Sequence, residues 1–463
     1  MSPVSIAFLG ATESVTGSRF LISGHKSRIL VECGMFQGLQ SERKKNYEPF
    51  PVDIETIDSI VLSHAHFDHS GFLPLLVKHG YRKKVICTPY TEKLVGVILR
   101  DSAHLQAEDE KYLEEHHITN VENPQALYSL EDVEQTMRLL EPKAYGTRHQ
   151  ITETGYVTFF RSGHILGSTF VLVELDGKNF LFTSDLGRHN HPLLAPPDDP
   201  PEIQIDAIVT ESTYGDRTHQ NPSDAFAEEI NAGISRGGSI LIPAFAIDRT
   251  EVIIIALREL MEKGKIPVLP VFVDSPMAIA GLNFYRQAIS EEAHEIRSGI
   301  PQRWRNQDPF DTGNLYQLLS SDESKTLKNL ETTSIIISAS GMSTGGRVVH
   351  HLKNMLPHRQ NTVILVGFQT VGSRGRALEE GQPSVRIHGQ WVPVKAHIAK
   401  VDTFSVHADS DELVAWLKKV KTARQCFVVH GEHEAQIALK LRLERELGWK
   451  IFIPKTDQVF SLT

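Results

Sequence analysis

Apolar and polar positions along this 463-residue chain follow two different rhythms, and the change between them divides it. Val4–Leu9, Phe20–Ile22 and Arg28–Val31 predict short strands joined by Gly and Ser turns. The unbroken apolar run Ile57–Leu62 predicts a buried strand, and Phe72–Val77 a short helix. Tyr90–His117 is charged and helical in pattern, and Glu131–Leu140 predicts another helix. Tyr156–Phe160, Phe170–Leu175 and Asn179–Thr183 alternate as antiparallel strands, with Asp176-Gly177 as the hairpin turn between the last two. His191–Pro201, rich in Pro and Asp, predicts a surface connection.

Beyond it strands and helices take turns. Ala207–Thr210, Ser239–Ile242, Val268–Val273, Ser334–Ser338 and Thr362–Gly367 read as strands. Ser223–Ser235, Arg249–Glu262, Pro276–Ile289 and Gly346–Met355 read as the helices between them. Such alternation predicts a parallel, doubly wound α/β unit. From about Pro383 short strands return at Val385–His388 and Val392–Ile398, followed by Glu412–Lys418, Cys426–Val429 and Glu434–Glu446. The second unit is therefore expected to be inserted into the first, giving segments 1–208, 209–378 and 379–463.

Composition narrows this only at the margins. The net charge of −9 gives no global attraction to nucleic acid, so any such contact needs a local basic groove. Cys33, Cys87 and Cys426 stand alone, without a C-x-x-C, which argues against a disulfide framework and against a thiolate zinc site. No apolar run approaches the ~20 residues of a membrane span. Met1-Ser2-Pro3-Val4 opens without a basic or apolar leader, so the expected compartment is the cytoplasm, with no membrane partner.

The chemistry concentrates in His64-Ala65-His66-Phe67-Asp68-His69, directly after the run Ile57–Leu62. Strand ends are where α/β folds place their sites, and His and Asp are zinc ligand types. Four such ligands in six residues crowd one tetrahedral ion. Two adjacent ions suit them better, with His64 and His66 on one and Asp68 and His69 on the other. Further along, His164 lies in the Gly-flanked turn Ser162–Ser168, Asp185 ends the strand before Leu186-Gly187, and His430 ends the strand before Gly431-Glu432. Each is weak alone; a strand-end Asp, for instance, is more often a cap. Their order after the histidine loop gives them weight.

That order resembles the metallo-β-lactamase superfamily. The resemblance implies an αββα sandwich with His64, His66 and His164 on one Zn²⁺, Asp68, His69 and a distal His on the other, and Asp185 bridging both. Glu32 stands where the family's first motif carries Asp, a supporting position rather than a ligand. Thr210-Glu211-Ser212-Thr213-Tyr214-Gly215, Phe404-Ser405-Val406-His407-Ala408-Asp409 and Val429-His430-Gly431-Glu432 look like motifs A, B and C of the β-CASP ribonuclease group. This implies an inserted doubly wound β-CASP domain capping the metals. It also implies cleavage of single-stranded RNA by a hydroxide on the two Zn²⁺ ions, leaving 3′-hydroxyl and 5′-phosphate ends. Within the group the chain looks most like the short bacterial and archaeal enzymes.

Asp68, Glu211 and His407 are read as catalytic, Asp68 doubling as a ligand. An alkoxide leaving group needs a proton, which His407 can give if Glu211 orients it and keeps it charged. Ser340 and Gly341, at a strand-to-helix junction, and Arg374 and Arg376, beside a strand end, are the phosphate-binding candidates. The rival readings are a β-CASP nuclease acting on DNA and a non-catalytic RNA-binding scaffold; intact ligands at every position weigh against the scaffold. Endonuclease and 5′-exonuclease action share one metal core, and a homodimer is one assembly open to the chain.

Overall fold

The computed structural model describes residues 3–115, 125–219, 224–330 and 332–462. The chain folds as two compact units. Met1–Thr218 and His407–Thr463 form the first, and His219–Val406 is inserted as the second. The sequence places the return to the first unit at 379, whereas in the structure it comes after Val406. Strand His397–Lys400 pairs in parallel with Thr362–Leu365 and so belongs to the inserted sheet. At the other boundary, placed at 209 by the sequence, the chain stays with the first unit to Thr218.

The first unit holds two seven-stranded sheets. One runs Gln458–Leu462, Val4–Phe8, Phe20–Ser23, Arg28–Val31, Ser59–Val61, Val85–Cys87, Leu140–Pro142. The other runs Ile451–Phe452, Ala423–Val428, Ile205–Thr210, Lys178–Ser184, Thr169–Leu175, Gly155–Arg161, His149–Gln150. Alternate residues of each sheet point inward and meet: Ile6, Phe8, Ile22 and Val31 pack with Val171, Val173, Phe180, Val209 and Phe427 in one buried core. On the outer face of the second sheet, Leu172, Leu181, Ile208 and Val428 are covered by helix Ser410–Leu417, through Leu413, Trp416 and Leu417, and by Leu439 and Leu443 of helix His433–Leu447. Helices Leu73–Lys78, Pro89–Glu115 and Leu130–Met137 pack together on the first sheet's side, completing the αββα sandwich.

Two expectations are revised, and parts of two others go untested. Residues 116 and 117 of the predicted long helix lie outside the described residues, and so does Ser223 of a later one. The helix expected over Glu131–Leu140 stops at Met137, because Leu140–Pro142 pairs in parallel with Val85–Cys87. The predicted surface connection is partly buried: His191, Leu193 and Leu194 are almost fully enclosed. The His191 ring makes this possible, its Nδ1 accepting the Leu193 and Leu194 amides at 3.1 and 2.8 Å, so those backbone donors need no water.

In the inserted unit the six strands run Leu315–Gln317, Val271–Val273, Ile335–Ser338, Ile240–Pro243, Thr362–Leu365, His397–Lys400, every neighbouring pair parallel. The chain starts mid-sheet, winds out one way and then the other, as a doubly wound fold does. A separate hairpin, Ser384–Ile387 with Gln390–Pro393, packs on the same core. Among the described residues no helix is long and apolar enough to cross a membrane.

Candidate metal centre

Parallel pairing delivers the site. Lys178–Ser184, Ile205–Thr210 and Ala423–Val428 are parallel neighbours, so their C-terminal ends share one edge. Asp185, Glu211 and His430 follow those ends by one or two residues. The histidine loop leaves Ser59–Val61 and turns into the short helix Phe67–Ser70. His164 comes from the connection between Gly155–Arg161 and Thr169–Leu175. Glu32, Ser184 and His430 hold left-handed backbone at φ 62°, 48° and 48°, a conformation uncommon outside glycine that gathers at functional sites.

Seven donors converge in two clusters. His66 Nδ1 lies 3.1 Å from His64 Nε2 and 3.2 Å from His164 Nε2. Asp185 Oδ2 lies 3.4 Å from both of those Nε2 atoms. In the second cluster His430 Nε2 is 3.2 Å from His69 Nε2 and 3.3 Å from Asp68 Oδ2. Asp185 Oδ1 stands 3.3 Å from His69 Nε2. A tetrahedral zinc ion with N and O ligands holds them ~3.3–3.6 Å apart; the spacings here run from 3.1 to 3.4 Å, at or just inside the lower end of that range. The chemistry also fits. One ring nitrogen facing two others has a single proton or lone pair to offer, and buried Asp185 Oδ1 accepts no hydrogen bond. A cation satisfies both. Asp185 divides its two oxygens between the clusters.

A supporting layer fixes the rings. Ser63 Oγ lies 2.9 Å from His64 Nδ1, and Thr213 Oγ1 3.1 Å from His430 Nδ1. Glu32 accepts the Ser184 hydroxyl at 3.0 Å and the Ser63 amide at 3.3 Å, and lies 3.6 Å from His69 Nδ1. Such partners set tautomer and orientation at metal sites. Ser63, Ser184 and Thr213 escape the sequence reading, although each sits within two residues of a residue it singles out.

Charge is divided along the same lines. Burial, helped by His64, pushes His66 down to about 3, and burial likewise lowers His64 and His164. Burial opposes the charged form at His69 and His430 as well, but Asp185 and Asp68 outweigh it and hold both rings above the usual imidazole value. Burial would raise the two carboxyls; His69 and His430 overcome it and keep Asp68 and Asp185 ionised. Ionised carboxylates and neutral imidazoles are the forms a cation binds, and a cation held here would compete with the protons favoured on His69 and His430.

Beside the clusters stands a further pair. His407 Nδ1 is 3.0 Å from Glu211 Oε2, and the His407 ring lies 4.4 Å from the His164 ring. Glu211 is buried; its Oε1 accepts the Leu186 amide at 2.6 Å, and its own amide donates to Thr183 Oγ1. Fold and site together define a metal-dependent hydrolase.

The phosphate candidates lie in the inserted unit, where the structure brings their two segments together. Arg374 donates to the Ser343 carbonyl and, from Nε, to the Arg386 carbonyl at 3.1 Å. Arg376 pairs with Glu380 at 2.7 Å, and Ser340 Oγ accepts the Thr344 amide at 3.2 Å. A side chain on Gly341 would meet Phe245. Arg374 ties its short helix to the loop of Ser340 and Gly341, and Arg376 is paired within that helix, so a phosphate would have to share those bonds.

Comparison with known proteins agrees with the architecture. Residues 16–139 match the metallo-β-lactamase superfamily, 250–378 the β-CASP domain, and 391–454 a domain described as the RNA specificity domain of Zn-dependent metallo-hydrolases. The chain is 34% identical to Ribonuclease TTHA0252 of Thermus thermophilus, over 93% of this chain and 94% of that one. It is 30% identical to an RNase J-like protein of Methanocaldococcus jannaschii, covering 99% and 100%. It is 28% identical to a transcription termination factor, FttA, of Cenarchaeum symbiosum, covering 100% of this chain and 71% of the factor. A solved Enterococcus faecalis protein of unknown function shares the fold at 12% identity, with a TM-score of 0.53 over both full chains. The chain belongs to the β-CASP ribonuclease family of the metallo-β-lactamase superfamily.

Proposed function

We propose that this protein is a zinc-dependent ribonuclease with two ions per chain, cutting phosphodiester bonds of single-stranded RNA to leave 3′-hydroxyl and 5′-phosphate ends. The observation that carries the reading is the His407–Glu211 pair set against two ligand clusters joined through Asp185. His64, His66, His164 and Asp185 would hold one cation, and Asp68, His69 and His430 the other, with Asp185 reaching it from Oδ1, 3.3 Å from His69 Nε2. When bound, the ions would activate water as the nucleophile and neutralise charge on the phosphodiester. Asp68 serves as a ligand whose charge keeps that side of the site ionised. Glu211 accepts the hydrogen bond of His407 Nδ1–H, which orients the ring with Nε2 free to face the substrate. His407 then gives a proton from Nε2 to the departing 3′ oxygen, whose alkoxide is otherwise a poor leaving group. Ser340, Gly341, Arg374 and Arg376 are assigned to the phosphates of the strand. RNA as substrate is supported by the matched RNA specificity domain and by the ribonuclease names of the relatives.

The test is direct. Purified protein is incubated with 5′-labelled and internally labelled RNA and DNA of one sequence, single-stranded and duplex, and the product ends are read by mass spectrometry. Unstructured RNA should be cut fastest, with 5′-phosphate products. Equal or faster cutting of single-stranded DNA would replace the RNA reading with a DNA one. The label that disappears first separates endonuclease from 5′-exonuclease action.

A further inference from the structure

The hairpin of the inserted unit has two unlike faces. Val385, Ile387 and Val392 turn into the unit's core. Arg386 and Trp391 stand directly opposite each other in the pairing register and share the outer face. Trp391 is 70% exposed there. A single exposed apolar side chain is ordinary, so the surroundings decide its meaning.

Arg386 is the cation beside Trp391, and further bases gather around His350 past the hairpin turn. The His388 ring, at the hairpin turn, packs 4.6 Å from the ring of His350 on helix Arg347–Met355. Burial, then His388, His351, Lys328 and Lys353, hold His350 below the usual imidazole value. Asp274, buried beneath that helix, is taken up by Arg347 at 2.7 Å and His351 at 2.6 Å. Arg386, Lys328 and Lys353 form no ion pair among the described residues. The hairpin is also tied, through Arg374 bridging the Arg386 and Ser343 carbonyls, to the loop that carries Ser340 and Gly341.

We propose that this outer face is a docking platform for a single RNA strand, with a base stacked on the Trp391 indole and its phosphates on Arg386, Lys353 and Lys328. The proposal rests on the RNA reading above and adds to it a contact surface on the inserted unit. An aromatic ring beside uncommitted cations is what binds single strands with little regard to sequence. A duplex offers no unstacked base to such a ring. Two copies of the chain meeting here would set the same cations against themselves, since a two-fold contact pairs a patch with itself.

The experiment compares the full-length wild type with Trp391→Ala, Trp391→Phe and the double variant Arg386→Ala/Lys353→Ala. Fluorescence anisotropy follows binding to a labelled oligoadenylate of about 20 nucleotides, shown intact on a gel afterwards. Trp391→Ala should weaken binding roughly 5- to 30-fold and Trp391→Phe less than about 3-fold, since a phenyl ring still stacks. The double variant should flatten the slope of log K against log[salt] by about 1.4, two phosphate contacts being lost. Hydrolysis of bis(p-nitrophenyl) phosphate, which reaches only the metal centre, should be unchanged in all of them. Unchanged affinity in Trp391→Ala, with the wild type cutting RNA, overturns the platform and leaves the RNA reading standing. A drop in molar mass by light scattering at unchanged affinity assigns the face to self-association and also overturns it. Binding and cleavage of single-stranded DNA but not RNA, with the same dependence on Trp391, keeps the platform and removes the RNA reading.

Discussion

Glu211 holds His407 with one oxygen and the Leu186 amide with the other, at 3.0 and 2.6 Å. Both carboxylate oxygens accept, so neither can be exchanged for a donor without loss. Glu211→Gln must turn its amide NH₂ toward either Leu186 N–H or His407 Nδ1–H. It should therefore slow RNA cleavage in the same sense as loss of the ring, but less.

For the ring itself the expectation is sharper. His407→Ala should keep its metal, by elemental analysis, and lose roughly 10²- to 10⁴-fold in rate on RNA. On bis(p-nitrophenyl) phosphate the loss should be much smaller, because nitrophenolate departs without a proton. Equal losses on both substrates, or lost metal, would move His407 into the ligand set.

Asp185→Ala removes a donor from both clusters at once. Metal content should fall from two ions toward none, and activity with it. His430→Ala touches only the cluster of Asp68 and His69, so about one ion should remain. Wild-type protein active with a single ion would rule out the two-ion assignment.

Gly34 tests the scaffold without touching a ligand. A methyl group there would collide with the Asp68 carbonyl and crowd the His69 amide. The Gly34 amide also donates to the Ser18 carbonyl at 3.0 Å, which leaves the segment little room to retreat. Gly34→Ala should lower metal content and rate together, while Asp68 and His69 remain in place in the sequence. Normal metal content would show that the histidine loop can shift at no cost.

Glu251 gives a pH prediction in the inserted unit. Its carboxyl is fully buried; burial first, and then the Asp248 carboxylate, raise it well above its ordinary 4.5. For an acid raised on folding, the native state holds more protons than the unfolded one between the two values. Stability should thus fall as pH rises above about 4.5, by up to about 1.4 kcal/mol per unit, until the raised value is passed. Glu251→Gln carries no such penalty. Its unfolding temperature should exceed that of wild type at pH 7–8, and the gain should vanish near pH 4. A gain that does not depend on pH would mean that packing, not ionisation, is responsible.

The candidate metal centre is legible where its donors are contiguous. His64, His66, Asp68 and His69 announce themselves within six residues. His164, Asp185 and His430 carry little local signal, and only their order after that loop connects them. Glu32 and Ser63 act through bonds that depend on where two strands come to lie, which no local pattern encodes. The same holds for the strands that went unread. Leu140–Pro142, Leu315–Gln317 and Ile451–Phe452 are too short to show a period, and the mixed pattern of Gln458–Leu462 becomes a strand because Val4–Phe8 offers it an antiparallel edge. His191 misleads for a related reason: a Pro-rich stretch reads as surface unless a buried ring is there to satisfy its amides.

The insertion also fixes an order of events on the ribosome. His64, His66, His164 and Asp185 are all synthesised before the inserted unit, so one cluster has its full donor set early. His430 follows the whole of that unit, and the second cluster waits for it. Until then Ile205–Thr210 lacks its neighbour Ala423–Val428, and Val4–Phe8 lacks Gln458–Leu462. The nascent chain thus carries two open sheet edges while the inserted unit is being made. Bare edges recruit foreign strands. Chains that stall within the insertion are therefore the ones most exposed to aggregation and to proteolysis, and the segment made after it both closes the two sheet edges and completes the second cluster of donors.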